Sequence, residues 1–168
     1  LDCVAYGCTS GTVAAGYDVI KEKVNLAKPA AKVTTPITSA IKALKALDIN
    51  KISIFTPYTK KINDSVVNYF KKEKIIINSL TYFDIDSDLD IGKVDEDHLF
   101  EVLSKINLEN SDALFVSCTA LPVLSIIDKL EKKLNKVILS SNQTLIWDSL
   151  NEINYKEKID GFGKLFNS

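Results

Sequence analysis

Apolar residues along the chain gather in short unbroken runs, separated by stretches in which they recur at helical spacing. The run from Asp2 to Gly7 reads as an opening strand that feeds the tight loop Cys8-Thr9-Ser10-Gly11. A short helix is expected over 12–19. Pro29 ends any helix before it, and a brief strand is expected over 30–34. Thr35 is a candidate N-cap, and Pro36 suits the first helical position, where a missing N–H costs nothing. Ile37, Ile41, Leu44 and Leu47 then share one helix face, which leaves Lys42 and Lys45 outward. Ile52 to Thr56 predicts a buried strand, closed by Pro57-Tyr58-Thr59. Ile62, Val66, Tyr69 and Phe70 mark the next helix, and 75–83 the next strand, with a polar irregularity at Asn78-Ser79.

The connection from Asp84 to Asp97 carries six Asp and one Glu and reads as a solvated loop. Leu99, Val102, Leu103 and Ile106 predict a helix, and 113–117 a strand ending at Cys118-Thr119-Ala120. A further helix is expected from Leu121-Pro122, with Leu124, Ile127, Leu130 and Leu134 inward. A last strand spans 137–139, and Ser141 or Asn142 could cap the helix that carries Leu145, Ile146 and Leu150. Strand and helix alternate, and the strands are continuously apolar. That pattern predicts an α/β fold with a parallel sheet covered on both faces. Ligands of such folds lie beyond the C-terminal strand ends, here 8–11, 57–59, 118–120 and 140–142.

Composition narrows the chemistry. The 168 residues are 46% hydrophobic, enough for a real core. With 21 Lys+Arg against 22 Asp+Glu, the chain has no long-range pull toward nucleic acid or an anionic membrane. No apolar run approaches the roughly 18 residues of a membrane span. Every basic residue is Lys, so a carboxylate site must use backbone N–H groups, hydroxyls, amides or Lys rather than an Arg fork. One His and three scattered Cys form no metal-ligand pattern, and the stretch from Gly7 to Gly11 lacks a dinucleotide fingerprint. Neither metal nor cofactor is expected. Three widely separated Cys suggest free thiols and a cytoplasmic location. The chain has no Met and opens directly on a strand, as a piece of a longer protein would.

Two of the four strand ends begin with Cys-Thr: Cys8-Thr9 and Cys118-Thr119. A helix N-terminus behind each thiol would lower its pKa and attract an anion. Two such thiols could pass a proton across a substrate from opposite faces, which is racemisation. Alternatively one could add to an activated alkene while the other supplies a proton, which allows rotation and elimination. Neither route needs a cofactor. A small-acid-binding relative without catalysis is the third reading. Cys3 is expected in the core, His98 on the surface, and Trp147 in packing.

The chain resembles the maleate cis–trans isomerase family, within the aspartate/glutamate racemase superfamily that also holds arylmalonate decarboxylase. The matching pieces are Val4 to Gly11, Thr34 to Ala40, Thr56-Pro57-Tyr58, Ser117-Cys118-Thr119, Ser140 to Gln143, and Gly161-Phe162-Gly163. The resemblance implies two similar parallel-sheet lobes with the site between them, the first lobe being incomplete in this chain. The expected division is 1–33 for the remainder of lobe one, 34–139 for lobe two, and 140–168 returning to lobe one. It also implies a homo-oligomer, such as a dimer, acting on a small dicarboxylate like maleate. By position, Cys8 matches the nucleophile and Cys118 the proton donor and acceptor. Tyr58 matches the tyrosine whose hydroxyl contacts a substrate carboxylate, and the hydroxyls of Thr9, Ser10 and Thr119 beside the cysteines are expected to contact substrate as well. Asp88 aligns where the family usually has Asn, and a carboxylate there would repel a dianion. Arylmalonate decarboxylase activity fits less well, because that enzyme's relatives lack a cysteine at the position of Cys8.

Overall fold

A computed structural model of the chain describes residues 1–167. Ser168, the last residue of the expected C-terminal segment, lies outside them. The strands are β1 (Cys3–Ala5), β2 (Lys32–Thr34), β3 (Lys51–Thr56), β4 (Ile76–Tyr82), β5 (Ala113–Val116) and β6 (Val137–Ser140). The helices are α1 (Thr9–Ala15), α2 (Tyr17–Ala27), α3 (Pro36–Ala46), α4 (Lys60–Lys72), α5 (Asp88–Ile91), α6 (Glu96–Leu103), α7 (Ile127–Leu134) and α8 (Ser141–Glu152). Strands β1 and β2 form a two-stranded parallel sheet. The other four form a parallel sheet in the order β4-β3-β5-β6. The α/β expectation therefore holds. None of the described helices is long and apolar enough to cross a membrane.

The main core lies about the four-stranded sheet. Ile52, Ile54 and Phe55 of β3 and all of β5 are buried, as central strands covered on both faces require. Phe70 of α4 meets Phe115 edge-on at 5.2 Å. The polar irregularity at Asn78 is a bulge, since the β3–β4 register skips it between Ile52↔Ile77 and Ser53↔Ser79.

Several local expectations need correction. The first helix starts at Thr9 rather than 12, and Gly16, at φ 87°, breaks it from α2, which runs on through 27. Part of the acidic connection is helical, as α5. The helix expected from Leu121 begins only at Ile127, after a 3-10 turn over Leu124–Ile126. Pro122 pushes the residue before it out of the helical region. Thr35 stands at the N-cap of α3 without a capping bond; its hydroxyl meets that of Thr38 at 2.8 Å. The cap of α8 is Ser140, in a reciprocal capping box with Gln143. Cys3 is half-buried rather than in the core, because β1 has a single strand neighbour. His98 is exposed and stacks on Phe83, and Trp147 packs half-buried against the core.

Helix α8 ties the two sheets together. It packs on β1, β2 and α3, and Thr34 of β2 shares a 2.7 Å hydrogen bond with Ser149. Asp148, buried on its inner face, accepts from Ser39 at 2.7 Å and from Lys42 at 2.9 Å. Lys42, expected to point to solvent, also reaches Glu152 at 2.9 Å. Burial disfavours the Lys42 ammonium, but its bonds to Asp148 and Glu152 more than offset this and hold its pKa above the usual 10.5. A basic group held tighter in the folded state stabilises fully below its ordinary pKa and loses that contribution as pH rises through the folded value. The melting temperature should therefore fall above about pH 10.5 more steeply in the native chain than in Lys42→Met. Identical alkaline profiles in thermal melts would refute this.

Candidate active site

The chain turns sharply after β1: the Tyr6 N–H bonds the Thr34 carbonyl at 2.9 Å, and the Cys8 N–H returns to the Tyr6 carbonyl at 3.0 Å. Cys8 is then the extended N-cap of α1, and its Sγ accepts the Gly11 N–H at 3.2 Å. Sulfur here takes the capping role usually given to Ser or Asp. The Ser10 hydroxyl lies 3.8 Å from the same sulfur. Gly11 is required by space. A Cβ there would stand 2.7 Å from the Tyr6 hydroxyl and 2.8 Å from the Cys8 sulfur.

Cys118 follows β5 in a different setting. It is buried, adopts a left-handed φ of 90°, and its Sγ accepts the Ala120 N–H at 3.4 Å. No helix begins there, so the expected lowering by a helix N-terminus does not apply. Burial instead pushes its pKa up. The Ala120 N–H and the Tyr58 hydroxyl pull the other way, and the charge of Asp88 adds to the rise.

Two short chains of hydrogen bonds clasp the cysteine loops. The Thr9 hydroxyl donates to Ser141 Oγ at 2.9 Å, and the Cys118 N–H donates to the same oxygen at 3.0 Å. The Thr119 hydroxyl donates to the Gly7 carbonyl at 2.8 Å, while the Asn142 amide holds the Thr119 carbonyl at 2.9 Å. Thr9 and Thr119, expected to contact substrate, thus spend their hydroxyl protons on joining the two loops.

Tyr58 is buried at 3% exposure, with its hydroxyl beside the Cys118 thiol and the hydroxyls of Ser117 and Thr9. Burial, with the Cys118 charge next, drives its pKa upward, so it is a neutral donor at ordinary pH. Its backbone is locked by Asn63, which is wholly buried. The Asn63 amide donates to the Tyr58 carbonyl at 2.9 Å, Thr56 donates to Asn63 Oδ1, and the Tyr58 N–H donates to Thr56 Oγ1 at 3.2 Å. Asp88, the first residue of α5, is exposed, and its charge reaches Cys118.

The structure thus brings Cys8, Thr9, Ser10, Tyr58, Cys118 and Thr119 to one place, with Asp88 at its edge. Gly11 and Ser141 fall within the strand-end stretches expected to face the ligand, though without a stated role there, while Tyr6 and Asn63 lie outside those stretches and were missed. The Ser140-x-x-Gln143 spacing is a capping-box signature that would have placed Ser141 at the start of α8. No local pattern announces the other three.

The maleate isomerase of Geobacillus stearothermophilus is 26% identical over 172 residues, covering 98% of this chain and 68% of the relative. The maleate isomerase Iso of Pseudomonas putida S16 has the same fold, with a TM-score of 0.91 at 22% identity over 99% of this chain and 70% of its own. A Nocardia farcinica maleate cis–trans isomerase with a cysteine-to-serine change and a covalently bound succinylcysteine intermediate has a TM-score of 0.90. It is 19% identical over 98% of this chain and 71% of its own. Residues 15–166 match the family described as arylmalonate decarboxylase, and the chain belongs to that family.

Proposed function

We propose that this chain carries the two-thiol centre of a cofactor-independent cis–trans isomerase for a small unsaturated dicarboxylate such as maleate. The observation that carries the proposal is the pair of unlike thiols clasped through Thr9 and Ser141. Cys8 stands at a helix cap with an N–H on its sulfur, while Cys118 is buried and held in its protonated form. Environments that differ in this way sort two identical groups into separate roles.

The Cys8 thiolate adds to one alkene carbon, forming an S–C bond, and the π pair moves to the neighbouring carbon. Cys118 gives that carbon its proton, leaving a succinyl thioether and a single bond free to rotate. The Cys118 thiolate then removes a proton, the double bond re-forms in the trans geometry, and the S–C bond breaks. Atoms and electrons balance without a redox partner. Ser10, the Tyr58 hydroxyl and the loop N–H groups are the donors for the carboxylates, as a chain without Arg requires. The covalent succinylcysteine of the Nocardia farcinica isomerase supports this route.

Intact mass after exposure to maleate and rapid acid quenching tests it. The expected result is a gain of one maleic acid, mapped to Cys8. No gain, with all thiols reduced, would overturn the reading. Asp88 favours a second reading. A carboxylate whose charge reaches Cys118 suits a substrate bearing an ammonium group, as in racemisation of an acidic amino acid. Solvent deuterium at Cα of aspartate or glutamate would identify that reaction.

The three free thiols suit a reducing, cytoplasmic setting. Exposed Val19, Leu26, Ile146 and Ile153 on and beside α2 and α8 support a homo-oligomer that would bury them. Residues 1–33 with 140–168, and 34–139, remain our proposed two lobes.

A further inference from the structure

Tyr6 stands two residues before Cys8, and one turn presents both. Its N–H bonds the Thr34 carbonyl at 2.9 Å and its carbonyl accepts the Cys8 N–H at 3.0 Å, so its backbone is pinned on both sides. The residue is exposed, yet its hydroxyl lies 2.7 Å from the point where a Cβ on Gly11 would stand. The Cys8 sulfur lies 2.8 Å from that same point. The methyl that Gly11 lacks therefore leaves a gap bordered by a phenol oxygen and the sulfur. Among the described residues, the Tyr6 hydroxyl has no hydrogen-bond partner. The other donors nearby are engaged: the Gly11 N–H is given to the sulfur, and the Thr9 and Thr119 hydroxyls join the two loops. Tyr6 thus keeps an open donor beside the Cys8 sulfur, in a chain with no Arg to bind a carboxylate.

We propose that Tyr6 is a catalytic residue whose hydroxyl donates to the substrate carboxylate borne by the carbon that bonds Cys8. The inference rests on the isomerase reading for its substrate. That carboxylate is attached to the attacked carbon, so formation of the S–C bond brings its oxygens within hydrogen-bonding reach of a donor that borders the sulfur. A bond from a neutral phenol to a charged oxygen is stronger than one between neutral groups. The two carboxylates of the substrate also differ. The one next to the carbon that receives the proton takes up charge as the π pair moves, whereas the one beside Cys8 keeps a single charge throughout. A donor to the latter holds substrate and transition state alike, and so sets KM rather than kcat.

Iodoacetate and iodoacetamide test this on the free protein. Each bonds the Cys8 sulfur through carbon as iodide leaves. Iodoacetate puts a carboxylate on that carbon, as the substrate does, while iodoacetamide puts a neutral amide there. Rates are read by fragment-ion mass spectrometry, which separates Cys8 from Cys3. In Tyr6→Phe the iodoacetate rate at Cys8 should fall about tenfold and the iodoacetamide rate by less than about threefold. Circular dichroism should match the native chain, since no bond of the resting protein is lost. With maleate, KM should rise about tenfold while kcat changes by less than about threefold. An unchanged iodoacetate rate would overturn the proposal. Equal losses with both reagents would also overturn it, by placing the action of Tyr6 on the sulfur itself. The reagent comparison does not depend on maleate, so a failed adduct experiment leaves it standing on its own.

Discussion

Cys8→Ser should abolish both turnover and the maleate adduct, whereas Cys118→Ser should abolish turnover and leave the adduct in place. The asymmetry follows from the two environments. Cys8 is the sulfur that receives a directed N–H and forms the carbon bond. An alcohol at that position stays protonated near neutral pH and has no adjacent histidine or other base to activate it. Loss of the nucleophile should lower kcat by about 10³-fold or more, and intact mass after maleate should show no gain. Cys118 supplies and removes a proton; a serine hydroxyl there can hydrogen-bond but is a far weaker acid. General acid–base steps contribute about 10²–10⁴-fold, so turnover should fall by that order. Water can still protonate the carbanion slowly, but no thiolate remains to take that proton back for elimination, so the thioether should accumulate on Cys8. If Cys8→Ser still formed the adduct on Cys118, the assigned roles would be reversed.

Gly11→Ala should lower kcat by about 10²-fold while leaving the chain folded. A methyl at 11 would meet the Cys8 sulfur at 2.8 Å and the Tyr6 hydroxyl at 2.7 Å, distances that Cβ atoms do not tolerate. Both neighbours are side-chain ends, so they move and the backbone stays. The sulfur rotates off the Gly11 N–H and loses its aim. Misplacement of a reacting atom by about 1 Å commonly costs that much. Circular dichroism should match the native chain and urea midpoints should stay close, while adduct formation slows. A native rate of adduct formation in Gly11→Ala would show that the sulfur tolerates displacement.

Much of this was legible in the chain itself. Continuous apolar strands and helical spacing predicted the parallel α/β order, and the strand-end rule led to Cys8, Tyr58 and Cys118. Asn78-Ser79 was read as irregular, and the β3–β4 register skips Asn78 there, on an edge strand that is only partly buried. The setting of Cys118 was not legible. Cys-Thr after a strand looks the same at both sites, yet only Cys8 caps a helix; after Cys118 the next α-helix starts at Ile127. Asn63 and Ser141 act through contacts with remote or irregular backbone, and periodicity carries no information about those. Gly11 is silent for another reason: a glycine's need for space shows only when its neighbours are in place.

The clasp between Thr9 and Ser141 spans 132 residues, and the bond between Lys42 and Asp148 spans 106. Contacts of such separation form late, because a long loop must close before they return anything. On the ribosome, Cys8 emerges well before α8, the helix that gathers its surroundings. Throughout that interval the first thiol is made but unsheltered, open to any oxidant or electrophile in the cell. The architecture therefore sets a window of chemical vulnerability whose length is the time needed to synthesise and dock α8.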